Sequence, residues 1–223
     1  LIAGFDACAA STGLAHERLT AAEISASFPA ITAPPDHVGR YESEAGVLYA
    51  ERTVRALQDR AARNGALLHF EQPVVRWSAT RDAVTVTTSG GDYHAARLVI
   101  AAGAWTAHLV PELAPALRVD RVVNVTFEPL DRTWLTADRL PAFIISDVAV
   151  HDGVYGIPAI GPHGVKVGSA GTPTDPSQVD RTIREHEIER YRDYLGRFMP
   201  HAIGPVQSAL TCLYTVSADE RLV

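Results

Sequence analysis

The sequence predicts a protein of mixed α+β and α/β character, organised around a large mixed β-sheet with few helices. Three observations carry that expectation. Short runs rich in Val, Ile, Leu and Tyr recur along both halves, separated by Gly, Pro and Asn/Asp turns. In the first half, a helical pattern at 51–64 stands between strand-like runs, giving a strand–helix–strand unit followed by a meander. In the second half, four strand-like runs precede one long helical stripe.

The elements follow in order. Leu1-Ile2-Ala3 reads as the tail of a strand. Thr20-Ala21-Ala22-Glu23 is a capping box that opens a short helix stopping near Pro29. Strands are expected around Arg40 to Ser43 and Val47 to Tyr49. In the helix over 51–64, Val54, Leu57 and Ala61 recur at helical spacing, and Asn64-Gly65 supplies a left-handed stop. Strands then follow at 67–70, 74–77 and 84–87, with a Gly90-Gly91 turn before Leu98-Val99-Ile100. Four more are expected at 119–127, 142–146, 154–157 and 165–168. The long helix is expected to be capped by Asp175, with Pro176 at its first position. Val179, Ile183, Ile188, Tyr191, Leu195 and Phe198 form its apolar stripe, and Pro200 ends it. A last strand runs from Val206 to Val216 and carries Cys212.

Composition narrows the function classes. The 223 residues are 47% hydrophobic with a formal charge of −6, and no Lys/Arg cluster offers a nucleic-acid surface. The longest apolar stretch, Leu98 to Val110, is broken by Thr106 and His108 and is too short to span a bilayer. Cys8 and Cys212 make no disulfide framework, and the start has no basic region of a leader, so a cytoplasmic location is expected. The opening strand tail and the closing Arg221-Leu222-Val223, which reads as mid-strand, expose unpaired backbone edges. The chain is therefore expected to be an interior piece of a longer polypeptide.

Several chemistries leave no trace. There is no GxGxxG turn for a dinucleotide, no P-loop, no HExxH or paired-cysteine metal spacing, and no Gly-x-Ser-x-Gly elbow. Three features remain. Leu98 to Ile100 runs into Ala101-Ala102-Gly103-Ala104-Trp105, placing small residues where a helical pattern begins. That is either tight strand–helix packing or a point where backbone approaches a ligand phosphate. Gly164-Val165-Lys166-Val167-Gly168 puts Lys166 between two glycines on one strand face, close behind Tyr155-Gly156-Ile157-Pro158. Lys166 is either an edge-strand lysine or an ammonium with open space above it for a flat ring. Cys212 shares a strand face with Leu210, Tyr214 and Val216, where a free thiol is ordinarily a small buried hydrophobe.

Together and in this order, these motifs resemble flavin amine oxidases of the monomeric sarcosine oxidase and N-methyltryptophan oxidase type, within the D-amino-acid-oxidase-like superfamily. The carrying residues are Ala45 to Leu48, Pro73-Val74, Gly103-Ala104-Trp105, Tyr155-Gly156-x-Pro158, Gly164-x-Lys166-x-Gly168 and Cys212-x-Tyr214-Thr215, followed by Asp219-Glu220. The resemblance implies a substrate domain with a large mixed sheet, plus part of a Rossmann-like FAD-binding domain lacking its GxGxxG segment. On that basis residues 1–43 and 111–208 belong to the substrate domain, 44–110 to the FAD domain, and 209–223 return to the flavin. It implies oxidation of a secondary amine or N-methyl amino acid to an imine, with O2 reduced to hydrogen peroxide. A dehydrogenase using another acceptor, or a non-catalytic module retaining the fold, are the alternatives. Lys166 would activate oxygen, Tyr155 would line the substrate pocket, and Cys212 would tether FAD. Val74, Ala102, Gly103, Ala104 and Trp105 would contact the cofactor. Sarcosine oxidases carry a histidine two residues beyond the glycine equivalent to Gly168, and here that position is Ala170. Without the GxGxxG segment, the chain by itself is expected to lose FAD and to be inactive.

Overall fold

The computed structural model describes residues 2–147 and 150–219. Its elements are α1 (Ile2–Thr12), β1 (Glu17–Thr20), α2 (Ala21–Ser27), β2 (Val38–Tyr41), α3 (Ala50–Arg63), β3 (Val74–Ala79), β4 (Val84–Thr88) and β5 (Gly91–Ala95). They continue with α4 (Thr106–Leu109), β6 (Leu117–Phe127), β7 (Phe143–Asp147), β8 (Val150–Ile157), β9 (Val165–Ser169), β10 (Thr172–Pro173), α5 (Glu185–Phe198) and β11 (Val206–Ser217). The chain divides into two compact units.

The first unit comprises residues 1–47, 121–172 and 179–212. Its main sheet runs β10-β6-β9-β8-β7, with β11 also paired to β6. β9 is therefore an interior strand, antiparallel to β6 on one side and β8 on the other. Alternation gives the sheet two different faces. Val123, Val125, Phe127, Val165 and Val167 point into the core, where Tyr191, Tyr194, Leu195 and Phe198 of α5 cover them. Lys166 and Gly168 alternate with those valines and lie on the opposite face. The Tyr191 hydroxyl donates to the Val123 carbonyl at 2.7 Å, and burial pushes its phenol pKa up.

Local signals explain several boundaries. The capping box forms as the sequence predicts: Thr20 Oγ1 accepts from Glu23 N, and Glu23 Oε2 accepts from Thr20 N at 2.7 Å. One expectation at the chain's start is corrected. Ile2 and Ala3 begin a helix rather than ending a strand, because the following run is rich in alanine, the best helix former. Gly13, at φ +70°, ends it, with Leu14 N donating to Ala9 O at 3.1 Å. Arg221 to Val223 and Glu220 lie outside the described residues.

The long helix starts later than its cap-like sequence suggests. Asp175 Oδ1 accepts from Ser177 N and Oγ, an Asx turn that competes with helix initiation. Arg121 then holds the segment extended by donating to the carbonyls of Asp180 and Thr182 and to Glu187. The helix opens at Glu185, with Glu187 accepting from Arg184 N at 2.9 Å. Val179 and Ile183 thus lie before it, while Ile188 to Phe198 supply its buried stripe. The Arg121 guanidinium keeps the Glu187 carboxyl below its usual range, and the Thr182 amide holds Asp180 at about 2.

The second unit comprises residues 48–120, 173–178 and 213–223. Its three-stranded meander β3-β4-β5 includes Gly91–Ala95, a strand that the turn-centred reading omits. Residues 47–49, 67–70 and 98–100, expected as strands, join no ladder among the described residues. Most of their apolar side chains are exposed, Leu67 at 85% and Val99 at 88%, while Val47, Leu98 and Ile100 are half-buried. An apolar run specifies a strand only where an edge is available to pair with it, and among the described residues the meander pairs only with itself.

Candidate active site

Register places one row of side chains across four strands of the first unit. Gly168 on β9 lies opposite Asn124 on β6 and Tyr155 on β8. The Tyr155 hydroxyl reaches over it and donates to Asn124 Oδ1 at 3.0 Å. On the other side, Asn124 Nδ2 donates to Cys212 Sγ on β11 at 3.1 Å. Asn124 is 2% exposed, while Tyr155 and Cys212 are half-buried. The row exists because residue 168 has no side chain: a Cβ there would collide with both Tyr155 Oη and Asn124 Oδ1.

Lys166 stands two residues away on the same strand face, opposite Thr126 and Ile157. It is half-buried, and its ammonium makes no hydrogen bond or ion pair among the described residues. An interior position rules out an edge-strand lysine that guards against aggregation. The expected reason for the flanking glycines is corrected, however. Space above Gly168 is filled by the Tyr155 hydroxyl and Asn124 amide, and space beside Gly164 by the Phe127 carbonyl. The glycines admit close neighbours rather than leaving a void around Lys166. Ala170, next on that face, is exposed.

In the second unit, Val74, Trp77, Val86, Leu109 and the extended run Leu98 to Ala102 line an apolar cleft of about 240 Å³. Trp77 Nε1 donates to Leu109 O at 2.6 Å and fixes one wall. Val74 and Ala102 thus share a cavity, whereas Gly103, Ala104 and Trp105 form a 3-10 turn outside its lining. Gly103 has φ +53° with open space about its Cα, so its backbone is approachable. The helix that follows is one turn, Thr106–Leu109, too short to carry a large dipole. Ala104 is buried and Trp105 is 45% exposed.

Asn124 is the residue that the sequence reading misses. Its signal is a single amide within Val122-Val123-Asn124-Val125, where every neighbour is apolar and buried. A lone polar side chain in such a run needs partners for both ends of its amide. Among the described residues, no group of three or more His, Cys, Asp or Glu is placed to hold a metal ion. No helix among them is long and apolar enough to cross a membrane.

Comparison with known proteins shows which family the chain resembles. The chain is 37% identical over 227 residues to the monomeric sarcosine oxidase of Streptomyces avermitilis, a match covering 100% of this chain and 59% of that protein. It is 30% identical to the N-methyl-L-tryptophan oxidase of Salmonella heidelberg, over 93% of this chain and 55% of that protein. The chain therefore spans just over half the length of these relatives. Among solved structures, the open form of NikD, described as an unusual amino acid oxidase essential for nikkomycin biosynthesis, shares the fold. It has a TM-score of 0.77 at 24% identity, covering 98% of this chain and 57% of that one. Glycine oxidase from Bacillus cereus does so at a TM-score of 0.74 and 19% identity, with 98% and 57% covered. The family model for FAD dependent oxidoreductases (DAO) matches residues 2–223, and the chain belongs to that family.

Proposed function

We propose that this chain is part of a longer flavin-dependent oxidase that converts a secondary amine or N-methyl amino acid to an imine and reduces O2 to hydrogen peroxide. The observation that carries the reading is Lys166, a half-buried ammonium without an anionic partner among the described residues, on the same strand face as Gly168 and its Tyr155–Asn124–Cys212 row. A fixed positive charge with no counter-charge stabilises an anion that develops beside it. Tyr155 offers a hydroxyl at the same face to orient a bound amine acid, and Cys212 offers a thiol to hold the cofactor covalently.

The residues present fit FAD. The apolar cleft at Val74 and Leu98 to Ala102 suits a flat ring, and the exposed backbone of Gly103, with Ala104 and Trp105 beyond it, suits close approach by the nucleotide. When bound, FAD supplies a two-electron acceptor for the carbon next to nitrogen and a donor to O2. In this reading residues 1–43 and 111–208 form the substrate domain, 44–110 the partial FAD domain, and 209–223 the return to the flavin. The remaining segments of the same polypeptide complete the nucleotide site, and the enzyme works in the cytoplasm. Relatives named sarcosine oxidase and N-methyl-L-tryptophan oxidase support the substrate class. Ala170, a methyl where sarcosine oxidases present imidazole, favours a substrate other than sarcosine.

The test is peroxide release. The complete polypeptide, given a panel of N-methyl amino acids and cyclic secondary amines, should form peroxide in step with amine consumed. Reduction of an artificial acceptor without peroxide would instead make it a dehydrogenase. Attachment is read separately. Acid precipitation should leave flavin with the protein, and Cys212→Ser should release it to the supernatant. Flavin freed from the unaltered protein would remove the tether and leave the oxidase standing.

A further inference from the structure

We propose that Asn124 is a positioning residue for Cys212: its amide donates to the sulfur and accepts the Tyr155 hydroxyl, holding Sγ as a hydrogen-bond acceptor. The assignment rests on Cys212 as the reacting thiol, the reading given above. Three observations carry it. Asn124 is almost fully buried between Val123 and Val125, where valine would pack as well and demand no polar partner. Both ends of the amide are used, and both partners are residues of the candidate site. Gly168 is the position across which the Tyr155–Asn124 bond passes, and any side chain there would break it.

The physical consequence concerns the thiolate. A hydrogen bond donated to sulfur favours the charged form over the neutral thiol, and the thiolate is the nucleophile. The Tyr155 O–H, bonded to the amide oxygen, polarises the same amide and strengthens its N–H as a donor. Among the described residues, other titratable or charged groups on this sheet face are Lys166 on β9, Tyr214 two residues along β11, and Asp120 further along β6, where it pairs with Arg118.

Residues 1–223 hold two cysteines, so Cys8→Ser leaves Cys212 as the single thiol of this stretch, and peptide mapping separates it from thiols elsewhere in the polypeptide. Alkylation by iodoacetamide, in which an S–C bond forms as iodide leaves, then reports Cys212 directly and without flavin. Asn124→Asp keeps the size and the acceptor for Tyr155 and, once ionised, cannot donate to sulfur. It should slow alkylation near neutral pH by more than about tenfold, since the reacting sulfur loses its donor and gains a carboxylate beside it. Asn124→Leu should slow it by about tenfold, and Tyr155→Phe by less, since the amide remains. All variants should react alike once unfolded in urea. If Asn124→Leu does not fold, the near-isosteric Asn124→Asp decides, and Tyr155→Phe reads the same relay from its far end. Folded variants that keep the parent alkylation rate would overturn the assignment. Because no flavin is present, that failure is distinct from a failure of the tether, which the acid-precipitation experiment reads alone.

Discussion

Replacing Lys166 by methionine in the complete polypeptide should slow its reaction with O2 by about a hundred- to a thousand-fold, the roughly 3–4 kcal/mol that one well-placed donor to a developing anion supplies. The anion exists only while oxygen is being reduced, so anaerobic bleaching by the amine substrate should change far less. The fold gives the substitution a clean reading. Lys166 sits on an interior strand whose backbone is held by ladders on both sides, and its ammonium has no ion pair among the described residues to lose. Methionine is similarly long and flexible, so packing around the stem should survive. Stopped-flow measurement of the two half-reactions separates the outcomes. Equal slowing of both, or no slowing with O2, would leave Lys166 without a part in oxygen chemistry.

What could be read from the sequence was what short-range pattern determines. The capping box at Thr20, the stripe of α3, the alternation along β6, β9 and β11, and the buried face of α5 from Ile188 onward are all written within a few neighbouring residues. The motif order that points to the family is likewise linear. Partnership was not legible. Leu67-Leu68, Phe70 and Leu98 to Ile100 have strand composition but pair with nothing among the described residues. Asp175-Pro176 looks like a helix start until Arg121, more than fifty positions earlier, ties down the chain after it. The site divides in the same way. Lys166, Tyr155 and Cys212 are visible as motif residues, but Asn124 gains meaning only when β11 is laid beside β6, and their hydrogen bond joins positions 88 apart. The two glycines around Lys166 were visible too, and their purpose was not: only the paired strands show what approaches each.

Gly164 makes that purpose measurable. A methyl group at residue 164 would fall inside the Phe127 carbonyl oxygen, an atom of the neighbouring strand's backbone that cannot swing aside. The next pair in register is Phe127 with Val165, both at 0% exposure in the core over α5. Gly164→Ala must therefore move β9 away from β6, loosening that pair and the bond from Gly164 N to Gln207 Oε1 at 2.8 Å. Overpacking a core costs typically about 1–3 kcal/mol, and a clash with fixed backbone belongs at or above the upper end, so a loss of about 3 kcal/mol is expected. Gly168→Ala meets first the side-chain ends of Tyr155 and Asn124 rather than backbone, so it should cost less stability while breaking the hydrogen-bonded row. Gly46→Ala, with nothing within 4 Å of the added carbon, is the control and should be near neutral. Urea midpoints at constant slope give the three values. A Gly164→Ala chain as stable as the Gly46→Ala control would mean that β9 has slack beside β6. The strand would then be free to shift, and the fixed position of Lys166 on which the proposed oxygen chemistry depends would have lost its physical basis.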